Sequence, residues 1–390
     1  MDFSGLTELL DSLEERYGIP SLDCVILKNH SEVYRHRKGY ADYAKTVPVE
    51  KGHLYRLYSA TKLTTMAAVL QLVEQGKIKL YEPVAQYLPE FQYMKVAEDY
   101  QWNVPVPKLP TAASPCHFAH HPIQIIHLMT MTAGMHYDTS AQELLRIREQ
   151  RYETATTREV VSEMAKLLLV AEPGTRWMYG FEHDVLAAVV EAVSGMSYGS
   201  YLKKYVFEPA GADDTYFHLD EKLKKRVMDL YTIDPDTEKI IRCPENLREL
   251  FKISAKYESG GAGLISTVDS YSRIMDSLCN GGIAANGNRI LSERSADLLA
   301  TNYVTGQMLA DFHRTGKTKY GYGPGVQVRM EDDGTGREFG WDGAAGAYVL
   351  LNPTHHVCVM YAQHVMRFPR VYHEIHPQIR RMAYEGLGLL

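Results

Sequence analysis

Ser59 and Lys62 stand three residues apart in Tyr58-Ser59-Ala60-Thr61-Lys62, a spacing that puts a hydroxyl and an amine on one face of a helix, one turn apart. A hydroxyl attacks a carbonyl at neutral pH only with a base beside it, and a lysine or a phenolate can be that base. A helix N-terminus also favours the negative charge that develops during attack. A capped helix followed by a surface lysine has the same four-residue pattern, so Ser-x-x-Lys needs corroboration. Two other segments supply it. Tyr179 lies just before a helical run beginning near Asp184, where its phenol can face a cleft and serve as a base if a cation such as Lys62 stabilises the phenolate. Phe339-Gly340-Trp341-Asp342-Gly343-Ala344-Ala345-Gly346-Ala347 is Gly-rich, and such backbone can bring an amide close to a substrate carbonyl. The expected oxyanion donors are the N–H groups of Ser59 and Ala344.

The elements that must position these groups are legible from periodicity. Leu63, Met66, Leu70 and Val73 recur at spacings of three and four until Gly76, so an amphipathic helix is predicted to carry Ser59 at its start. Leu186, Val189, Val190 and Val193 do the same behind Tyr179. Residues 3–17 read as an opening helix, 22–27 and 32–36 as a hairpin, 325–330, 348–351 and 357–361 as strands, and Pro377 as the start of a last helix. Strands at both ends with helices between predict one domain over 1–390. It comprises an α/β subdomain from 1–57 and 252–390 and a helical subdomain at 58–251. A Pro-rich loop at 92–122 is expected at the cleft rim, narrowing the acyl pocket.

Composition narrows the function classes. The chain has 390 residues, 45% hydrophobic and 23% charged, with a formal charge of −6, which suits a globular protein with a proper core. Its Lys and Arg residues are scattered, so nucleic acid is not an expected partner. The N-terminus has no signal-peptide pattern, and no apolar run approaches the roughly 18 residues of a membrane span, so no membrane partner is expected. Five widely spaced cysteines without a Cys-x-x-Cys pair point to a reducing cytoplasm.

The three chemical segments, in this order, resemble the serine β-lactamase and penicillin-binding-protein superfamily, most nearly its class C enzymes and the family VIII carboxylesterases. Tyr55-Arg56-Leu57-Tyr58-Ser59-Ala60-Thr61-Lys62, Ile126-His127-Leu128-Met129-Thr130-Met131-Thr132-Ala133-Gly134-Met135 and Ser259-Gly260-Gly261-Ala262-Gly263-Leu264-Ile265-Ser266-Thr267 also carry the resemblance. It implies a β-lactamase/transpeptidase-like α/β (α+β) fold, an antiparallel sheet flanked by helices plus an all-helical subdomain. It further implies an acylated Ser59 with Lys62 and Tyr179 as the acid/base pair, and no metal or organic cofactor. Two departures stand out. Tyr179-Gly180-Phe181 lacks the Asn of the β-lactamase Tyr-x-Asn, and Trp341-Asp342-Gly343 replaces Lys-Thr-Gly, putting an indole beside an acid where a substrate-binding cation would stand. Phe181, Trp341, Asp342 and Gly343 are therefore expected to contact substrate, and Trp341 with Asp342 to favour neutral, apolar or cationic acyl groups over carboxylates. The function this implies is a carboxylesterase-like serine hydrolase acting on a small-molecule ester or amide through an acyl-enzyme. Acyl transfer to a small acceptor and β-lactamase or D-amino-acid peptidase action are the enzymatic alternatives. A non-catalytic ligand-binding or sensor protein is the alternative of another class.

Two patterns point elsewhere and are read as structural. Gly195-Met196-Ser197-Tyr198-Gly199 matches the Gly-x-Ser-x-Gly elbow but follows a helix rather than a strand, so Gly195 is expected as a C-cap and Ser197 as an N-cap. Cys116, His117, His120 and His121 read as a polar loop, since a zinc site needs four ligands in good geometry.

Overall fold

The computed structural model describes residues 1–104 and 107–390. Its main sheet grows from both ends of the chain. β1 (Ser21–Lys28) and β2 (Ser31–Gly39) are joined by Asn29-His30, both at positive φ, as a two-residue hairpin turn matching strand twist requires. The distal part of the chain adds β3 (Tyr320–Tyr322), β4 (Gln327–Arg329), β5 (Phe339–Asp342), β6 (Tyr348–Asn352) and β7 (Val357–Ala362). The seven strands are antiparallel in the order β3-β4-β5-β6-β7-β1-β2. The two ends of the chain meet where β1 pairs with β7, Val25 opposite Met360.

Five helices frame the sheet and the site: α1 (Ser4–Tyr17), α2 (Thr61–Glu74), α3 (Glu182–Ser194), α4 (Val268–Cys279) and α5 (His376–Leu387). Side chains alternate across a strand, and β1 shows what that does here. Cys24 and Ile26 pack with Leu6, Leu9, Leu10 and Leu13 of α1 and Ile379 and Ala383 of α5. Val25 and Leu27 join the other core, with Ile274 and Met275 of α4. β1, next to the edge strand β2, is therefore covered on both faces and reads as a continuous apolar run. Each buried leucine of α1 contributes about 2 kcal/mol of transfer free energy.

The structure corrects three readings of the elements. α2 is not amphipathic in its setting: every residue from Thr61 to Leu72 is buried. Its polar residues survive there because Thr64 Oγ1 donates to Thr61 O and Thr65 Oγ1 to Gly260 O, removing the cost of an unpaired hydroxyl. The Gly-rich run is itself partly strand, Phe339–Asp342 being a buried strand that ends just before Gly343. A short hairpin, Tyr231–Ile233 with Ile240–Arg242, sits inside the stretch read as helical and pairs with Val365–Met366. Among the described residues, no single helix is long and apolar enough to cross a membrane.

Candidate active site

The backbone ahead of Ser59 is held from two sides. Tyr55 and Arg56 pair with Ser266 and Ile265, and Leu57 N–H donates to Leu264 O. His364 ties the same strand to the far end of the chain, its Nε2 accepting the Arg56 N–H at 3.0 Å while Nδ1 faces the Met228 and Asp229 carbonyls at 3.1 and 3.2 Å. Those partners fix the neutral Nδ1–H tautomer. Burial, and next the Arg56 charge, push the His364 pKa down to about 3. Tyr58 then adopts a φ of 45°, a left-handed conformation that costs a bulky residue about 1–3 kcal/mol and is typical of functional sites. Ser59 follows in the short 3₁₀ turn Tyr58–Ala60 that runs into α2.

Lys62, on the first turn of α2, is fully buried and donates from Nζ to Gly261 O at 2.7 Å. Its Nζ lies 4.6 Å from the centre of the Tyr179 ring. Tyr179 Oη in turn donates to Ser59 Oγ at 2.7 Å. The segment leading to Tyr179 is fixed by Met178 N–H to Met131 O and by a bidentate Arg176–Asp311 pair. α3, which follows, starts with Glu182, His183 and Asp184, all buried. Burial raises the Glu182 and Asp184 carboxyls and lowers the His183 imidazole. The interior behind Lys62 thus tends toward neutral side chains.

The end of β5 abuts this turn. A Cβ on Gly343 would lie 2.3 Å from Leu57 O, so only glycine allows the two backbones to approach so closely. Gly343 N–H donates to Ala347 O, and Tyr372 Oη donates to Gly343 O at 2.9 Å. Among the described residues the Ala344 amide meets no backbone carbonyl. Ser59, Tyr179, Trp341, Asp342, Gly343 and Ala344 line one cavity of about 650 Å³. The Trp341 ring stacks on Tyr179, centroids 5.9 Å apart and planes within 14°.

Asp342 departs from expectation. It is buried and paired, with Lys317 Nζ 2.6 Å from one oxygen and His376 Nδ1 3.1 Å from the other. Burial by itself would raise its carboxyl, but Lys317 and His376 outweigh it and hold the group well below the usual range. Its charge is therefore balanced by Lys317, so Asp342 does not stand in the pocket as the unpaired acid that the expected bias against carboxylates relies on. Lys317 Nζ also lies 5.4 Å from the Trp341 ring centre, so a cation does stand on this wall, supplied by another segment. Lys319, Arg329 and Arg380 line the same cavity, while their partners Glu331, Asp333 and Glu338 do not. Nothing in the sequence around these four cations marks them, because they converge only when β3, β4 and α5 assemble.

Two other expected contacts are also corrected. Phe181 is buried and stacks on Tyr137, centroids 4.4 Å apart, rather than lining the cavity. It precedes α3, where its ring packs inward to close the core. Of the loop at 92–122, residues 105 and 106 lie outside the described residues, and none of the others lines the cavity. Lys95–Ala97 and Cys116–Phe118 form a small hairpin, and Trp102 lies under the Arg176 guanidinium at 3.7 Å. The loop braces the Tyr179 segment from outside. Gly195 does cap α3 in the left-handed conformation, and Ser197 Oγ caps the next helix.

A family model described as Beta-lactamase matches residues 6–381. Protein Rv1367c of Mycobacterium tuberculosis is 27% identical over 339 residues, 83% of this chain and 80% of that one. Esterase EstB of Burkholderia gladioli is 26% identical over 302 residues, 71% of each. The solved structure of EstCE1, described as a hydrolase with promiscuous acyltransferase activity, shares the fold with a TM-score of 0.76, 22% identity and 97% of both chains covered.

Proposed function

Because this chain belongs to the Beta-lactamase family and is a serine hydrolase, we propose that Ser59 is its acylated nucleophile and Tyr179, backed by Lys62, its general base and acid. The observation that carries this reading is the 2.7 Å contact between Tyr179 Oη and Ser59 Oγ with the Lys62 amine buried against the same ring. Tyr179 and Lys62, acting as a pair, take the Ser59 proton while Oγ bonds to the ester carbonyl carbon. The resulting oxyanion is held by the Ser59 and Ala344 amides. Tyr179 then returns the proton to the leaving alcohol as its C–O bond breaks, and water or an acceptor alcohol releases the acyl group by the same steps in reverse. The likeness to EstCE1 favours testing acyl transfer beside hydrolysis.

The cationic wall supports a substrate class: esters that carry an anionic group. Lys317, Lys319, Arg329 and Arg380 line the cavity, and of their acid partners only Asp342 does, so the lining holds four of these cations to one acid although the whole chain is acidic. The five cysteines are all free, four of them buried, which supports a reducing cytoplasm.

Intact-mass spectrometry with a short-chain p-nitrophenyl ester tests the nucleophile. An acyl adduct and a nitrophenol burst are expected from the wild type and neither from Ser59→Ala. An equal product rate in both proteins would overturn the assignment. Matched neutral and anionic esters test the substrate class, with higher kcat/KM expected for the anion.

A further inference from the structure

We propose that His117, His120 and Glu172 form a divalent transition-metal site, suited to Zn²⁺, that clamps the 95–118 hairpin to the segment carrying Tyr179. One ligand atom from each of the three lies within 4.8 Å of the others. Glu172 Oε1 is the shared point, 3.0 Å from His117 Nε2 and 3.1 Å from His120 Nδ1. In a tetrahedral zinc site with bonds near 2.1 Å, ligand atoms stand about 3.4 Å apart, so small side-chain rotations admit the ion.

The sequence reads this histidine cluster as a polar loop, and what the fold adds is Glu172, 52 residues from His120. Glu172 Oε2 accepts the His120 N–H at 3.0 Å, which orients the carboxylate. His117 Nδ1 lies 3.4 Å from Glu98 Oε1, within reach of the carboxylate–histidine contact that, once closed, orients the ring and strengthens its other nitrogen as a ligand. Two imidazoles and one carboxylate suit zinc or cobalt(II) over calcium or magnesium, which take all-oxygen shells. The His120 side chain is 71% exposed, leaving an entry path and room for water as fourth ligand. Cys116 precedes His117 on a strand and points to the opposite side. None of these residues lines the Ser59 cavity, so the ion's role is to hold structure. Glu172 opens the run to Tyr179, in which Gly174 N–H donates to Thr132 O at 2.7 Å.

Metal-free protein, prepared with a chelator and dialysed, is titrated with Zn²⁺ by calorimetry and with Co²⁺ by visible absorption, alongside His117→Ala and Glu172→Gln. One ion per chain is expected, with intense Co²⁺ d–d bands and a Tm raised by roughly 2–5 °C at saturating Zn²⁺. Each variant should lose at least about tenfold in affinity and the Tm rise, while its metal-free esterase rate matches the wild type. Absence of saturable binding up to about 100 μM Zn²⁺, where a ligand of useful affinity would register, would overturn the proposal. Equal binding by the wild type and both variants would overturn it too.

Discussion

His364 makes acid stability a measurable property of the strand that presents Ser59. The imidazole is fully buried, accepts the Arg56 N–H through Nε2 and faces two carbonyls through Nδ1. A second proton on Nε2 would point at the Arg56 N–H, so the folded state refuses it. The native pKa falls from 6.5 to about 3 through burial and then the nearby Arg56 charge. Between those values the unfolded chain binds a proton that the native state does not, so this contribution to stability is complete above pH 6.5 and is lost as pH falls. At about 1.4 kcal/mol per pH unit, lowering the pH by two units from 6.5 to 4.5 removes on the order of 3 kcal/mol. For a chain of this size that lowers Tm by about 4 °C. His364→Gln keeps an acceptor for Arg56 and cannot titrate. It is expected to be less stable than the wild type at pH 7, having lost the ring that packs against Tyr55, yet to lose about 3 kcal/mol less on going to pH 4.5. Burial also lowers His127 to about 4 and raises Glu191 to about 7, but both act equally in the two proteins and cancel. The assay is urea denaturation of both proteins at the two pH values. Parallel pH dependence would refute the reasoning.

Other substitutions probe the site and its supports. Tyr179→Phe should slow acylation by about 10²–10⁴-fold with little change in KM, measured by stopped-flow release of nitrophenol. Gly343→Ala must push a Cβ against Leu57 O; about 1–3 kcal/mol of stability and most of the acylation rate should go together. Asp342→Asn leaves the Lys317 ammonium without its buried partner, and because Lys317 is partly exposed the expected loss is about 2 kcal/mol rather than the larger cost of a fully buried break, read by denaturation at pH 7. Trp102→Ala removes the contact under Arg176 and should cost about 1 kcal/mol while leaving ester KM unchanged; a changed KM would return the loop to the pocket rim.

Much of the site follows from local sequence. Ser59 and Lys62 lie one turn apart because the helical period behind them sets the spacing, and Tyr179 and the Gly-rich run announce themselves by flanking a helix and a strand. Gly195 and Ser197 were identifiable as caps for the same local reason. Phe181 and Asp342 were not, because burial and partners decide their roles. Phe181 turns inward onto Tyr137, and Asp342 meets Lys317, 25 residues away, and His376. The local pattern of α2 likewise predicts one apolar face, whereas α3, the sheet strand β5 and neighbouring segments bury every residue from Thr61 to Leu72.

The sequence alone determined the order of chemical groups along the chain, the helix that starts at Ser59 and carries Lys62, and the presence of strands at both ends, since these depend on period, capping and hydrophobic alternation over a few residues. Tertiary structure decided the charge and reach of the pocket. Ion pairing and desolvation act through space, so only the closed sheet shows that Asp342 is paired with Lys317, that four cations line the cavity, and that Glu172 lies against His117 and His120.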